Sequence, residues 1–127
     1  HSYVAYGNYT VKLMTESSKG CKSDTASQTV SINPLPQVGF IVPEICLSDA
    51  FAQFTDTTKI ADGSTLKIFS WSFDATTASP TVPPANYPSP LTSTQQNPQV
   101  QYKQSSNYFV KETVTSNKGC VAIRQLN

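Results

Sequence analysis

Charge is scarce in this chain. Only 13% of its 127 residues are Asp, Glu, Lys or Arg, and the formal net charge is +1. That is about half the charged share of an ordinary soluble domain. The Lys and Arg residues stand singly, so the sequence lacks the clustered positive charge that nucleic acid or an anionic membrane surface requires. No apolar run approaches the roughly 20 residues that span a bilayer, and no basic stretch followed by an apolar one marks a secretory leader. Histidine occurs once, as His1. A nucleophilic Ser or Cys needs a base held beside it, so no catalytic residue is assigned and the chain is not expected to be an enzyme. The three cysteines, Cys21, Cys46 and Cys120, are an odd number and fit no zinc spacing. Asp49, Asp56, Asp62 and Asp74 could in principle serve calcium, but no dense acidic loop surrounds them, and turn or strand-end roles suit them better. No cofactor is therefore expected.

What the chain has instead is Ser and Thr, roughly a quarter of its residues, and apolar residues that recur with a period of two. Val38, Phe40 and Val42 alternate, as do Ala50, Ala52 and Phe54, then Phe69, Trp71 and Phe73, then Tyr108, Val110 and Val114. Alternation of this kind predicts strands with one face buried. Phe54, Phe69, Trp71, Phe73, Tyr108 and Val110 are the expected core; Trp71 reads as core because it lies between two aromatic residues on one strand face. Asp62-Gly63 and Asn117-Lys118-Gly119 read as turns. Residues 75–98 carry six prolines and no strand pattern. They read as one long loop, the only segment added to a minimal all-β domain and so a candidate binding surface.

The chain also repeats itself. Residues 3–21, YVAYGNYTVKLMTESSKGC, align without a gap to residues 102–120, YKQSSNYFVKETVTSNKGC, at an offset of 99. Tyr3 matches Tyr102, Asn8-Tyr9 matches Asn107-Tyr108, Val11-Lys12 matches Val110-Lys111, and Lys19-Gly20-Cys21 matches Lys118-Gly119-Cys120. An offset near 100 residues is the size of one small sandwich domain. Residues 1–32 are therefore expected to be the C-terminal strands of one repeat, ending in the strand 26–32. Residues 33–36 form a linker stiffened by Pro34 and Pro36. Residues 37–127 form a second repeat that lacks the end of its last strand, so the whole reads as a window into a longer array.

These residues, in this order, resemble the PKD domain, an immunoglobulin-like β-sandwich. Phe54-Thr55-Asp56-Thr57-Thr58 is similar to the family's F-x-D-x-S element, and Asp62-Gly63-Ser64 to its D-G turn. Trp71-Ser72-Phe73-Asp74 is similar to its W-x-F-G-D strand end without the Gly. Asn97-Pro98-Gln99-Val100-Gln101-Tyr102 is similar to its N-P-x-H-x-Y, with Val100 in the His slot; His1 fills that slot in the first copy. Gly7-Asn8-Tyr9-Thr10-Val11-Lys12-Leu13 is similar to the closing G-x-Y-x-V-x-L strand. One departure stands out: Glu112 occupies the slot of an inward Leu, which Leu13 keeps in the first copy. A buried carboxylate there is costly, so Glu112 must lie at the sandwich end, pair with a neighbour, or sit at an altered edge.

The T-S-N-K-G-C ending, with a further cysteine early in the domain, resembles PKD repeats of very large Bacteroidetes-type surface proteins, including gliding-motility adhesins exported by type IX secretion. Cys46 precedes the second strand and Cys120 follows the closing hairpin. A Cys46–Cys120 disulfide at one end of the sandwich is thus expected, worth a few kcal/mol, with Cys21 unpaired within the chain. The resemblance implies an extracellular, non-enzymatic stalk or adhesin module. Its partners would be neighbouring repeats and an extracellular glycan or surface, with no nucleic acid and no membrane span in this chain. A module binding through residues 75–98, or an accessory domain of a secreted hydrolase, are the other roles implied. Asp24-Thr25-Ala26 and Asp56-Thr57-Thr58 are similar to the Asp-Thr-small O-glycosylation pattern of the same bacteria. Mass mapping of protein from its native source is expected to find glycan on Thr25 and Thr57, and bare threonine at both would remove the assignment.

Overall fold

Alternating residues gain nothing from a helix, which would scatter them around its circumference; extended, they line one face. In the computed structural model, every element among the described residues (1–46, 51–73, 90–102 and 107–126) is a strand. The chain divides into two units, His1–Pro34 and Leu35–Asn127, and the division falls within the Pro-containing stretch 33–36.

The first unit is a hairpin of β1 (Gly7–Leu13) and β2 (Ala26–Ile32), paired antiparallel from Gly7↔Ile32 to Leu13↔Ala26. Directly paired residues share a face. Tyr9, Val11 and Leu13 therefore lie on one side with Ala26, Gln28, Val30 and Ile32, while Asn8, Thr10 and Lys12 share the other with Ser27, Thr29 and Ser31. On the polar side, Ser31 Oγ donates to Asn8 Oδ1 at 2.7 Å.

The second unit contains β3 (Phe40–Ile41), β4 (Phe51–Gln53), β5 (Thr55–Asp56), β6 (Leu66–Ser72), β7 (Thr92–Ser93), β8 (Gln99–Gln101), β9 (Val110–Ser116) and β10 (Val121–Leu126). One layer is a four-stranded sheet in the order β10-β9-β6-β7. In the other, the segment 51–56 pairs first with β8, through β4, and then with β3, through β5. Phe54 lies between these two pairings, and its N–H donates to the Pro98 carbonyl at 2.9 Å. The layers meet over Phe40, Ala52, Phe54, Trp71, Phe73, Val100 and Val110, with Phe69, Tyr102 and Leu126 packed against them. Trp71 and Phe73 are nearly parallel at 6.0 Å, and Phe40 meets Trp71 edge-on at 5.1 Å. The fold is an all-β, immunoglobulin-like sandwich.

Part of the segment expected to be one long loop is tied into the sandwich. Residues 90–98 do not belong to it: β7 pairs with β6 (Trp71↔Ser93), the Phe73 N–H donates to the Leu91 carbonyl at 2.9 Å, and Pro98 is buried. A two-residue edge strand held by backbone bonds needs no apolar alternation, so its sequence gave no sign of it. Residues 75–89 lie outside the described residues.

The repeat is one of geometry as well as sequence. In the first unit the Ser17 N–H donates to the Cys21 carbonyl at 2.8 Å and the Gly20 N–H to the Ser17 carbonyl at 2.9 Å; in the second, Ser116 N–H reaches Cys120 at 2.9 Å and Gly119 N–H reaches Ser116 at 3.0 Å. Ser17 Oγ and Ser116 Oγ accept from the Cys21 and Cys120 N–H at 3.1 and 3.2 Å. The Tyr3–Tyr9 rings lie 4.4 Å apart at 40°, and the Tyr102–Tyr108 rings 4.6 Å apart at 46°. Gly20 and Gly119 share a left-handed backbone, with φ of 81° and 80°. A Cβ on Gly119 would meet nothing within 4 Å, so its cost is conformational. Gly119→Ala is expected to destabilise the second unit by about 1–2 kcal/mol, read from the denaturant midpoint.

Candidate functional site

The period of two along β9 turns Val110, Glu112, Val114 and Ser116 inward, and all four are buried. Ser116 is satisfied locally, because its hydroxyl accepts the Lys118 and Cys120 N–H groups. Glu112 is not. It is 0% exposed, and neither carboxylate oxygen has a partner at bonding geometry. Its register partner on β6 is Trp71, whose buried Nε1 also lacks an acceptor. Its register partner on β10 is Arg124, which makes no ion pair with it and reaches instead toward the Val38 carbonyl at 3.5 Å.

The neighbour of Glu112 across the sandwich is a second carboxyl group, Asp56. Asp56 is well provided with donors: Oδ1 accepts the Thr58 N–H at 2.8 Å and Oδ2 accepts Gln96 Nε2 at 2.9 Å. Its own N–H donates to Asn97 Oδ1 at 2.9 Å. The Thr58 and Gln96 donors serve Asp56, and neither bonds to Glu112. Two carboxylates cannot bond to each other without a proton, and Glu112 is the group that must carry it. Burial first, then the Asp56 charge and the hydrogen bond that the two can share, push Glu112 from an ordinary 4.5 up to about 8. A buried carboxyl group beside a half-buried carboxylate is an arrangement in which the buried member is held neutral near pH 7. Glu112 thus lies buried in mid-strand beside a charged neighbour, Asp56, with neither of its oxygens hydrogen-bonded.

Sequence patterning missed this pair, since Asp56 and Glu112 lie far apart in the chain. The one available signal was the repeat itself, which sets Glu112 against Leu13. Of the expected core residues, Phe54, Trp71, Phe73 and Val110 are buried, while Phe69 and Tyr108 are half-buried. Phe40, Ala52, Val100 and Val114 are buried beside them.

The expected Cys46–Cys120 disulfide is not formed: Cys21 and Cys46 are exposed free thiols, and Cys120 is a half-buried one. The topology explains this. Phe54 packs against Phe73 at 5.1 Å, beyond the end of β6, and β3 runs antiparallel to β5. The chain past Ile41 therefore heads for the end of the sandwich where β4 begins. Cys120 lies at the opposite end, at the β9–β10 turn, where the Asn117 N–H donates to the Thr65 carbonyl just before β6. A disulfide needs Cα atoms within about 7 Å.

Asp62 closes its own turn, accepting the Ser64 N–H and hydroxyl at 2.9 and 2.8 Å, and these bonds hold its carboxyl below the usual range. Among the described residues no three His, Cys, Asp or Glu side chains gather where they could hold a metal ion; Asp49 and Asp74 lie outside those residues. Thr25 and Thr57 are exposed. The Thr57 N–H donates to the Gly39 carbonyl at 2.7 Å.

No family model matches the sequence, and no curated protein matches it. Among solved structures, the chain is similar to the PKD1 domain of Vibrio anguillarum Epp, with a TM-score of 0.55 and 19% identity, over 74% of this chain and 90% of that one. The likeness establishes the fold as a PKD-type, immunoglobulin-like sandwich.

The raised Glu112 has a defined consequence for stability. Between about 4.5 and 8 the folded protein keeps a proton that the unfolded chain has released. Stability is therefore full below 4.5, falls as pH rises through that window, and levels off above it, at up to about 1.4 kcal/mol per pH unit. Glu112→Leu, which copies Leu13, and Glu112→Gln are both expected to flatten this dependence and to raise the melting temperature at pH 8. A wild-type profile already flat from pH 5 to 8 would contradict the assignment.

Proposed function

We propose that this chain is a structural and adhesive repeat module of a secreted bacterial surface protein, a piece of an extracellular stalk or adhesin filament with no catalytic activity. The observation that supports it most directly is the repetition at an offset of 99 of the Ser-x-Lys-Gly-Cys turn and its tyrosine pair, in sequence and in bond geometry. A chain that reuses one closing hairpin gains length and stiffness by repetition. Scarce charge and abundant Ser and Thr suit an exposed spacer. The finer setting, Bacteroidetes-type gliding motility and type IX export, rests on the T-S-N-K-G-C ending alone. Neighbouring repeats and an extracellular glycan or surface are its partners in this reading.

A specific observation also favours direct binding. On the outer face of the four-stranded sheet, Ile68, Val121 and Ile123 are exposed, and the register sets Val121 and Ile68 opposite Thr115, with Ile123 opposite Thr113. Exposed β-branched residues in adjacent rows form a flat contact surface. The test separates the two readings and the loop. Deleting residues 76–88, which spares β7 and the Asn97 and Gln96 bonds to Asp56, is expected to leave both the fold and the attachment of the parent protein to its surface unchanged. The double variant Ile68→Lys with Ile123→Lys is expected to do the same if the module is a spacer. Loss of attachment in either folded variant would assign binding to that segment or that face.

A further inference from the structure

Glu112 and Asp56 sit on strands of very different strength. β9 is bonded along its length to β10 on one side and to β6 on the other, so the Glu112 backbone is held in place. β5 pairs with β3 at two positions only, Phe40↔Asp56 and Ile41↔Thr55. Asp56 is also the centre of a small network that ties residues 96–98 to its strand. Its Oδ2 accepts Gln96 Nε2 at 2.9 Å, its Oδ1 accepts the Thr58 N–H at 2.8 Å, and its N–H donates to Asn97 Oδ1 at 2.9 Å. Gln53 Nε2 donates to the Asn97 and Pro98 carbonyls at 3.0 and 3.3 Å, and the Phe54 N–H donates to the Pro98 carbonyl at 2.9 Å.

Glu112 points inward at the layer that carries this network, wholly buried and with both oxygens unbonded. Few charged or titratable groups surround it. β5 presents Asp56. β6 presents its register partner Trp71, which carries no charge, and β3 and β8 turn Phe40 and Val100 into the core. Tyr102, just beyond β8, packs against the same core. On β10 the register partner is Arg124, exposed and turned to the Val38 carbonyl at 3.5 Å. An ionised Glu112 would therefore stand against Asp56 with no counter-charge bonded to it, and β5 is the strand that can give way. Moving Asp56 breaks its bonds to Gln96, Thr58 and Asn97 together, and the parting of β5 and residues 96–98 admits water to Glu112.

We infer that the proton on Glu112 is a clasp: while it is present, β5 and residues 96–98 stay closed over the β6–β9 pair, and its loss opens that part of the second layer while β6, β9 and β10 remain paired. In the closed form Glu112 is pushed up to about 8, and once water reaches it the carboxyl returns to its ordinary 4.5. The clasp is therefore complete below 4.5, and the open form gains up to about tenfold per pH unit as pH rises through the window. The device belongs to the second unit itself and stands whether the module is a spacer or a binder.

Amide exchange of the full chain, read residue by residue from pH 5 to 8, tests it. The Phe54, Asp56 and Thr58 amides are expected to be less protected than those of β9. Low urea is expected to leave their exchange unchanged, the mark of an opening smaller than global unfolding. Their protection is expected to fall by up to about tenfold per pH unit beyond the intrinsic base catalysis of exchange. Glu112→Gln, which cannot ionise, is expected to hold that protection constant across the range. Glu112→Leu is expected to do the same, and it serves where glutamine disturbs folding. The clasp is overturned if these amides exchange only together with β9 and in proportion to urea, which would make the proton act on the whole fold alone. It is also overturned if they open locally with no dependence on pH, or if the dependence persists in a folded Glu112 variant. The wild-type profile decides the first two outcomes without any substitution.

Discussion

Everything else in the second unit is arranged around the contact between Phe54 and the Trp71–Phe73 pair. Phe54 belongs to one layer and the other two to the opposite one; their rings meet at 5.8 and 5.1 Å, and Phe40 closes the group against Trp71. Large buried rings of this kind each contribute roughly 3–5 kcal/mol relative to alanine. Among the described residues, Trp71, Phe54 and Phe73 are the largest fully buried side chains. The short strands β3, β5 and β7 persist because they border this cluster: Phe40 is in β3, β5 follows Phe54 directly, and β7 pairs with the strand that carries Trp71. Pro98 and Val100 are buried on the far flank of Phe54 for the same reason.

Set into this apolar cluster, Glu112 is an expensive choice, and the surroundings show how it is tolerated. Donors are spent on Asp56, and Glu112 is left to keep its proton. The first unit does without the device, since Leu13 stands in its place. The repeated strand therefore carries chemically different residues at the matching position, a buried glutamate in β9 and an exposed leucine in β1. A protonated acid beside a carboxylate ties the second domain to pH in a way that a leucine does not.

The hairpin and the full sandwich share their turn and their tyrosine pair although the hairpin lacks the layer that buries β9. These features are local. A glycine with left-handed φ, a serine hydroxyl bonded to the backbone four residues on, and two rings six residues apart need only their own stretch of chain. That explains why the turns at Asp62-Gly63 and Lys118-Gly119 and most of the aromatic core could be read from the sequence: turn chemistry and a period of two are short-range signals. Such reading failed where the structure depends on long-range placement. Residues 90–98 dock through backbone carbonyls and amide side chains, which carry no periodicity. The cysteines were expected to meet because both border the sandwich, but the antiparallel course of β3 and β5 sends them to opposite ends.

By itself, then, the sequence determined the all-β class, the strand faces of Phe54, Trp71, Phe73 and Val110, the glycine turns and the repeat at 99 residues. All but the repeat, which is a direct comparison of two segments, follow from steric and hydrophobic rules acting over a few neighbouring positions. Only the tertiary structure decided which carboxyl group faces Glu112, which thiols stay apart, and which apolar face of the repeat lies open. These depend on how two layers stack, and that is fixed by the packing of rings carried on opposite layers.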